Sequence, residues 1–278
     1  MGVLLVVMGF GNLIQGLFGN PIKSIEEYGK KHNGVDAAKM KAEAVFEKKK
    51  VEEMDIYFLM DRFGYCRTID EGTFERNKEA AIAENKFILK CKNTGKICVF
   101  TDAGNLHTIK ALDLPFGKFR DKGTPIDNVS NYDSKIEDAI YVASQSELNL
   151  YRLIFVTKQS MMKVVSGGEF DVTRKMVAAT KLADDDKLVS VQILTDLQSI
   201  VLKTRDGYFL RFSIDEIPEK GKTAIGVRGM KLSGTDYVEG VYYLNGYEDY
   251  IMTDDIGSVT LNNLKNGKRD SKGTKIKR

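Results

Sequence analysis

The chain has 278 residues, 42% of them hydrophobic and 29% charged, which is enough apolar material for one large globular domain or two smaller ones. That balance excludes a wholly disordered, collagen-like, coiled-coil or disulfide-framed protein, and a net charge of +3 by itself says nothing about partners. Cys66, Cys91 and Cys98 form no CxxC pair and sit among apolar or strand-like residues, which predicts buried free thiols and suits a reducing, cytoplasmic setting. His32 and His107 are the only histidines, too few and too far from the cysteines for a zinc site, so neither a metal nor a cofactor is expected.

In chain order, Val3 to Phe18 is apolar but has no basic residues before it, as a secretory signal would, and is short for a spanning helix. Residues 1–21 are therefore set apart as an apolar segment, open to reading as a packed stretch, a membrane anchor or an upstream artefact of the start. Residues 22–54 read as a helical linker, since alanine, lysine and glutamate dominate from Ala37 to Glu53. From Asp55 the texture changes to short β-rich runs separated by glycine or polar turns, as in Asp55–Met60, Ile97–Thr101, Leu153–Thr157, Ser199–Thr204 and Tyr208–Ile214.

Those runs repeat. Turns centred on Gly64, Gly104, Ser160, Gly207 and Gly257 stand 40 to 56 residues apart, the spacing of propeller-like blades. After each hairpin comes a longer polar loop: Asp113-Leu114-Pro115 followed by Lys118, Arg120 and Lys122 parallels Glu216-Ile217-Pro218 followed by Lys220 and Lys222, and Lys122-Gly123-Thr124 returns as Lys272-Gly273-Thr274. A single small sheet cannot bury both faces, whereas sheets stacked about an axis bury each face against a neighbour. The expected fold is all-β, a radial array of about five blades over residues 55–278 behind the helical lead-in; tandem β-sandwiches are the competing architecture.

The loops also polarise the charge. Residues 117–123, 173–181, 218–231 and 265–278 carry +2, +3, +3 and +6, against +3 for the whole chain, so the remainder is strongly acidic. If the loops are equivalent, their cations share one rim, the footprint expected for a phosphate backbone. The candidate DNA-binding residues are Lys118, Arg120 and Lys122 in the first loop; Arg174, Lys175 and Lys181 in the second; Lys220, Lys222, Arg228 and Lys231 in the third; Lys268, Arg269 and Lys272 in the fourth. A propeller-like scaffold whose basic loops meet an acidic protein is the alternative.

Lys222-Thr223-Ala224-Ile225-Gly226-Val227-Arg228-Gly229-Met230-Lys231-Leu232 resembles the blade signature of gyrase A and topoisomerase IV A C-terminal domains, as do Phe100 to Asn105 and Pro125 to Asn128. The resemblance runs from about Ile22 to the C-terminus. It implies a β-pinwheel whose blades exchange strands, with duplex DNA bent around the outer rim without sequence preference. As partners it implies a breakage-reunion domain and an ATPase B subunit, within an ATP-dependent type IIA topoisomerase, and no small-molecule substrate. In the first blade, gyrase A subunits carry a Gln-Arg-Arg-Gly-Gly-Lys-Gly box; the corresponding loop here is taken as Phe74 to Ala81, which lacks it and tilts the resemblance toward topoisomerase IV. The family's catalytic tyrosine belongs to a domain expected before Ile22, where only the apolar stretch stands, so no tyrosine here is assigned a catalytic role.

Overall fold

The computed structural model describes residues 51–254 and 257–276, and all of its secondary structure lies in a compact unit that begins at Glu53. The apolar segment 1–21 and all but the last four residues of the expected linker 22–54 lie outside the described residues; those four form no helix or strand.

Strands β1 (Asp55–Asp61), β2 (Tyr65–Asp70) and β3 (Asn85–Lys92) make the first sheet. The hairpin β4 (Lys96–Thr101) and β5 (Asn105–Lys110) then starts a second sheet, but the next strand, β6 (Thr124–Pro125), turns back and pairs with β2. Only afterwards does β7 (Ala139–Ser144) join β4. The same order recurs: after the hairpin β8 (Arg152–Thr157) and β9 (Met161–Ser166), β10 (Met176–Ala178) returns to β5 and β11 (Leu188–Leu194) joins β8. After β12 (Ser199–Thr204) and β13 (Tyr208–Ser213), β14 (Val227–Arg228) returns to β9 and β15 (Val238–Leu244) joins β12. A last hairpin, β16 (Ile251–Asp254) and β17 (Gly257–Thr260), is followed by β18 (Thr274–Lys275), which returns to β13.

The outcome is four antiparallel four-stranded sheets and one two-stranded hairpin among the described residues, five units in keeping with the expected array of about five blades. Each full sheet takes one edge strand from the chain that follows the next hairpin. At the opposite edge, β3, β7, β11 and β15 neighbour one another in succession and so line the axis. The returning strands β6, β10, β14 and β18 therefore form the outer edge.

Strand periodicity explains the packing between sheets. Ile97 and Val99 of β4 point toward Ile56, Phe58 and Met60 of the first sheet, while Cys98 and Phe100 point toward Leu153, Phe155 and Val165 of the third. Ile154 and Val156 then meet Ile200, Leu202 and Phe212, and Val201 with Phe209 meets Met252 and Leu261 of the last hairpin. Both faces of the inner sheets are buried, which is why these strands read as unbroken apolar runs. Cys66, Cys91 and Cys98 lie in these cores as free thiols; burial pushes the Cys91 thiol up to about 11 and that of Cys98 to about 12.

Among the described residues, no sheet precedes the first to cover its other face. Two short helices, α1 (Glu71–Arg76) and α2 (Lys78–Glu84), do so, burying Phe74 and Ala81 against Leu59 and Ile69 and stacking Phe74 on Tyr57 at 3.8 Å. The stretch Phe74 to Ala81, read from sequence as a loop, is thus mostly helical. The Asp70 side chain caps α1 by accepting from the Thr73 N–H at 2.8 Å.

Four hairpin turns share one geometry, with positive φ at Gly64, Gly104, Ser160 and Gly207. A side chain at the start of each turn accepts the N–H four residues on: Asp61 from Tyr65, Thr101 from Asn105, Thr157 from Met161 and Thr204 from Tyr208. Ser160 replaces glycine, and its hydroxyl, fully buried, accepts from the Met230 N–H at 2.8 Å.

Glycine also controls the entry of the returning strands. Gly123 has φ +77, and a Cβ there would lie 2.6 Å from the Cys66 carbonyl oxygen; Gly273 (φ +77) faces the Phe209 carbonyl at 2.5 Å, and Gly226 (φ +103) faces that of Met162. Gly123→Ala is expected to destabilise the fold by about 1–3 kcal/mol. Gly234→Ala, which also has positive φ but open space around it, should cost less; denaturant unfolding of the two variants checks the order.

Candidate nucleic-acid interface

Each basic loop links a 3-10 turn to a returning strand: residues 111–113 lead to β6, 167–170 to β10, 214–216 to β14 and 261–263 to β18. All four loops also bond to equivalent positions of the preceding sheet. The Thr68 N–H donates to the Pro115 carbonyl at 2.9 Å, Thr108 to Lys175 at 2.9 Å and Val164 to Pro218 at 3.1 Å, while the Gly267 N–H donates to the Arg211 carbonyl at 2.7 Å. The loops are thus equivalent segments along the outer edge of successive sheets.

Within them the cations divide into two groups. In the first loop Lys118, Arg120 and Lys122 are exposed, and the turn beneath them is closed by Asp121, whose carboxylate accepts the Lys118 N–H at 2.7 Å. In the fourth loop Lys268 and Lys272 are exposed at the positions matching Lys118 and Lys122, and the Ser271 hydroxyl donates to the Lys268 carbonyl at 2.7 Å. Arg174, Lys175 and Lys220 are exposed too, Lys175 reaching the Val129 carbonyl at 3.4 Å. Lys181 and Lys231 are exposed at matching places just past β10 and β14, near the turn end of their sheets.

Three others are engaged inside the protein. Lys222 donates its backbone N–H to the Glu169 carboxylate at 2.9 Å and its ammonium to the Glu169 carbonyl at 2.7 Å. One repeat later, Arg269 donates its backbone N–H to the Glu216 carboxylate at 2.9 Å and its Nε to the Glu216 carbonyl at 3.0 Å, and also reaches the Arg228 carbonyl. Each pair ties a loop to the 3-10 turn of the neighbouring repeat. Arg228 forms an ion pair with Asp270 of the next loop; that hydrogen-bonded guanidinium holds the Asp270 carboxyl below the usual carboxylate range. These side chains stitch adjacent loops together, leaving less of their charge free for an external anion.

Two cations outside the candidate set, the buried Lys163 and the half-buried Arg211, set the loops in place. Lys163 is 1% exposed and donates to the carbonyls of Gly221, Lys222 and Ala224 at 3.0, 2.9 and 2.7 Å, one acceptor for each ammonium proton. Arg211 bonds to the Ser199 hydroxyl and to the Asn262 carbonyl at the base of the fourth loop. A lone lysine inside the apolar run Met161–Val165 was the available signal.

In the second sheet the position matching Lys163 is His107, fully buried, with its Nε2 2.9 Å from a Glu137 carboxylate oxygen. Burial alone would raise the Glu137 carboxyl, but hydrogen bonds from Asn105 and Thr101 outweigh it and hold the group below its usual range. This network is internal, with both His107 and Glu137 buried. Among the described residues, no cluster of three or more His, Cys, Asp or Glu could hold a metal ion, and no helix is long and apolar enough to cross a membrane.

Lys163 supplies a pH test. Burial pushes its ammonium from 10.5 down to about 8, with Glu169 acting in the opposite direction. Between those values the unfolded chain binds more protons than the fold, so this group's contribution to stability rises with pH across that window. Lys163→Met, which strips three carbonyls of their donor, should cost about 1–3 kcal/mol at pH 7. The deficit relative to the parent chain should widen between pH 8 and 10.5 in unfolding titrations.

Comparison with known proteins agrees with this architecture. A family model described as the DNA gyrase C-terminal domain, beta-propeller, matches residues 151–195 and 198–245, the third and fourth sheets. The A subunit of DNA gyrase from Lawsonia intracellularis (strain PHE/MN1-00) is 26% identical over 234 residues, covering 80% of this chain and 28% of that protein. The A subunit of DNA topoisomerase 4 from Streptococcus pneumoniae serotype 4 is 27% identical over 215 residues, covering 73% and 26%. The chain thus spans roughly a quarter of the length of these relatives. Among solved structures, the C-terminal domain of DNA topoisomerase IV superposes with a TM-score of 0.72 at 22% identity, over 81% of this chain and 73% of that one. The E. coli ParC C-terminal domain gives 0.65 at 14%, over 80% and 94%. With the strand exchange, these likenesses show that the chain has the propeller-like fold of the C-terminal domains of gyrase A and topoisomerase IV A and is similar to them in sequence.

Proposed function

We propose that this protein binds duplex DNA without sequence preference and bends it along the outer edge of its sheets, serving in the cytoplasm as the wrapping part of the A component of a type IIA topoisomerase. The observation that carries the reading is the repetition of basic loops at one equivalent position of four successive sheets. Lysines and arginines so placed neutralise phosphates and release counterions, and phosphate contacts fix a duplex in register without reading its bases. Bending 20–30 base pairs costs on the order of 1–6 kcal/mol, so contacts from several loops must offset it.

In this reading the wrapped segment is presented to a breakage-reunion domain, and the ATPase B subunit is the further partner. The protein itself contributes binding and curvature; bond cleavage belongs to the partner domain. The stretch matching the gyrase box, Phe74 to Ala81, runs from the end of α1 into the first turn of α2 and holds Glu75 and Glu79, and this favours a topoisomerase IV-like parent that relaxes and decatenates.

Unrelated duplexes should bind with similar affinity in a gel-shift or anisotropy titration. If about six phosphates are neutralised, affinity should fall roughly a thousandfold between 50 and 200 mM salt. Charge reversal at Lys118, Arg120, Lys122, Lys268 and Lys272 together should abolish binding while leaving the unfolding midpoint nearly unchanged. Binding that ignores salt, or that survives the reversal, would sink the reading; no DNA binding beside capture of an acidic protein would favour the scaffold alternative.

A further inference from the structure

The exposed lysines of the first and fourth loops share a feature that the other two loops lack. Lys122 Nζ lies 4.8 Å from the centroid of the Tyr65 ring, and Lys272 Nζ lies 5.1 Å from that of Tyr208. The tyrosines hold the same position, the first residue of β2 and of β13, and each pairs with the returning strand that its lysine precedes. Lys275 approaches the Tyr208 ring as well, at 5.6 Å. At the matching positions of the second and third sheets stand Asn105 and Met161, which offer no aromatic face. The third loop has Ile225 where the first and fourth have Lys122 and Lys272, and its Lys222 and Arg228 are engaged internally.

We infer that the duplex is anchored chiefly at two points, the first and fourth sheets, by paired Lys–Tyr units in which Tyr65 and Tyr208 position Lys122 and Lys272 for phosphate contact. This rests on the DNA-binding reading above and deepens it. A free lysine side chain samples many rotamers and loses that freedom when it meets a phosphate. A half-buried tyrosine ring attracts the ammonium by cation–π interaction and keeps it at the outer edge, so less freedom remains to be lost on binding. The phosphate then meets a charge already in place. The two inner loops guide the duplex between the anchors.

The test uses the full chain and linear duplexes of about 30 base pairs, with affinity measured across a salt series. Tyr65→Leu and Tyr208→Leu should each weaken binding about two- to fivefold, and the double variant about tenfold. The salt slope should not change, because no charge is lost. Tyr65→Phe and Tyr208→Phe, which keep the ring, should restore parental affinity; a merely structural role of the hydroxyl would not be rescued in this way. Lys122→Gln and Lys272→Gln should each lower the salt slope by about one and weaken binding more than Arg174→Gln or Lys175→Gln in the second loop. If the parent chain binds DNA but the leucine variants bind equally well, or the second-loop variants do the greater damage, the two-anchor inference fails and the DNA-binding reading stands. If the parent chain does not bind DNA, both fall together.

Discussion

Every full sheet in this protein is completed by a strand borrowed from the repeat that follows, and the positions of the loops depend on that exchange. A three-stranded unit would leave the second strand of its hairpin with an unpaired edge, a liability for any β protein. The chain resolves this by running past the next hairpin and turning back, so that β6, β10, β14 and β18 close the edges of β2, β5, β9 and β13. The segment leading into the borrowed strand must then lie along the outer edge, whatever its sequence. Glycines at 123, 226 and 273 let it come close enough to pair, each against a carbonyl of the preceding sheet. Geometry fixes where the loop goes, and the lysines and arginines give that place a charge.

The same exchange links neighbours energetically. Sheet-to-sheet burial of Phe58, Phe100, Phe155 and Phe212 contributes large side chains to the core, and the loop-to-turn tethers of Lys222 on Glu169 and Arg269 on Glu216 add a polar stitch at two of the steps. Lys163 is the costlier device, since a buried ammonium is tolerated only when its protons are matched. Three carbonyls of the third loop match them, so one buried charge holds an irregular stretch in a single shape. The protein therefore uses its basic residues in two ways, some to hold the outer edge together and some to present charge beyond it.

Much of the architecture is legible in the sequence, because short apolar runs, turns about 50 residues apart and repeated Lys-Gly-Thr segments are direct consequences of stacked sheets. The hairpin Ser199–Thr204 and Tyr208–Ser213 is placed almost to the residue. The borrowed strands are not legible: Thr124–Pro125 and Val227–Arg228 are two residues long and gain their strand character from a partner some 60 residues away. The helices Glu71–Arg76 and Lys78–Glu84 are likewise too short for a helical period to register, and they exist because the first sheet's face needs a cover. The expected array of about five blades is met by four full sheets and a fifth unit that is a hairpin, since β16 and β17 gain no further partner among the described residues. The candidate cations are readable as a group, but their division is not. Arg228, Lys222 and Arg269 look no different in sequence from Lys118 or Lys272 until their carboxylate and carbonyl partners are brought beside them.

Free positive charge gathered at the outer edge, and used there, is the condition for everything proposed above. Lysine-reactivity footprinting by mass spectrometry, with and without duplex DNA, reads this directly. Lys118, Lys122, Lys268 and Lys272 should be protected by the duplex, while Lys90 and Lys92 on the axis-side strand β3, about half exposed in the free protein, should react as before. Equal protection of both sets, or protection confined to β3, would contradict it.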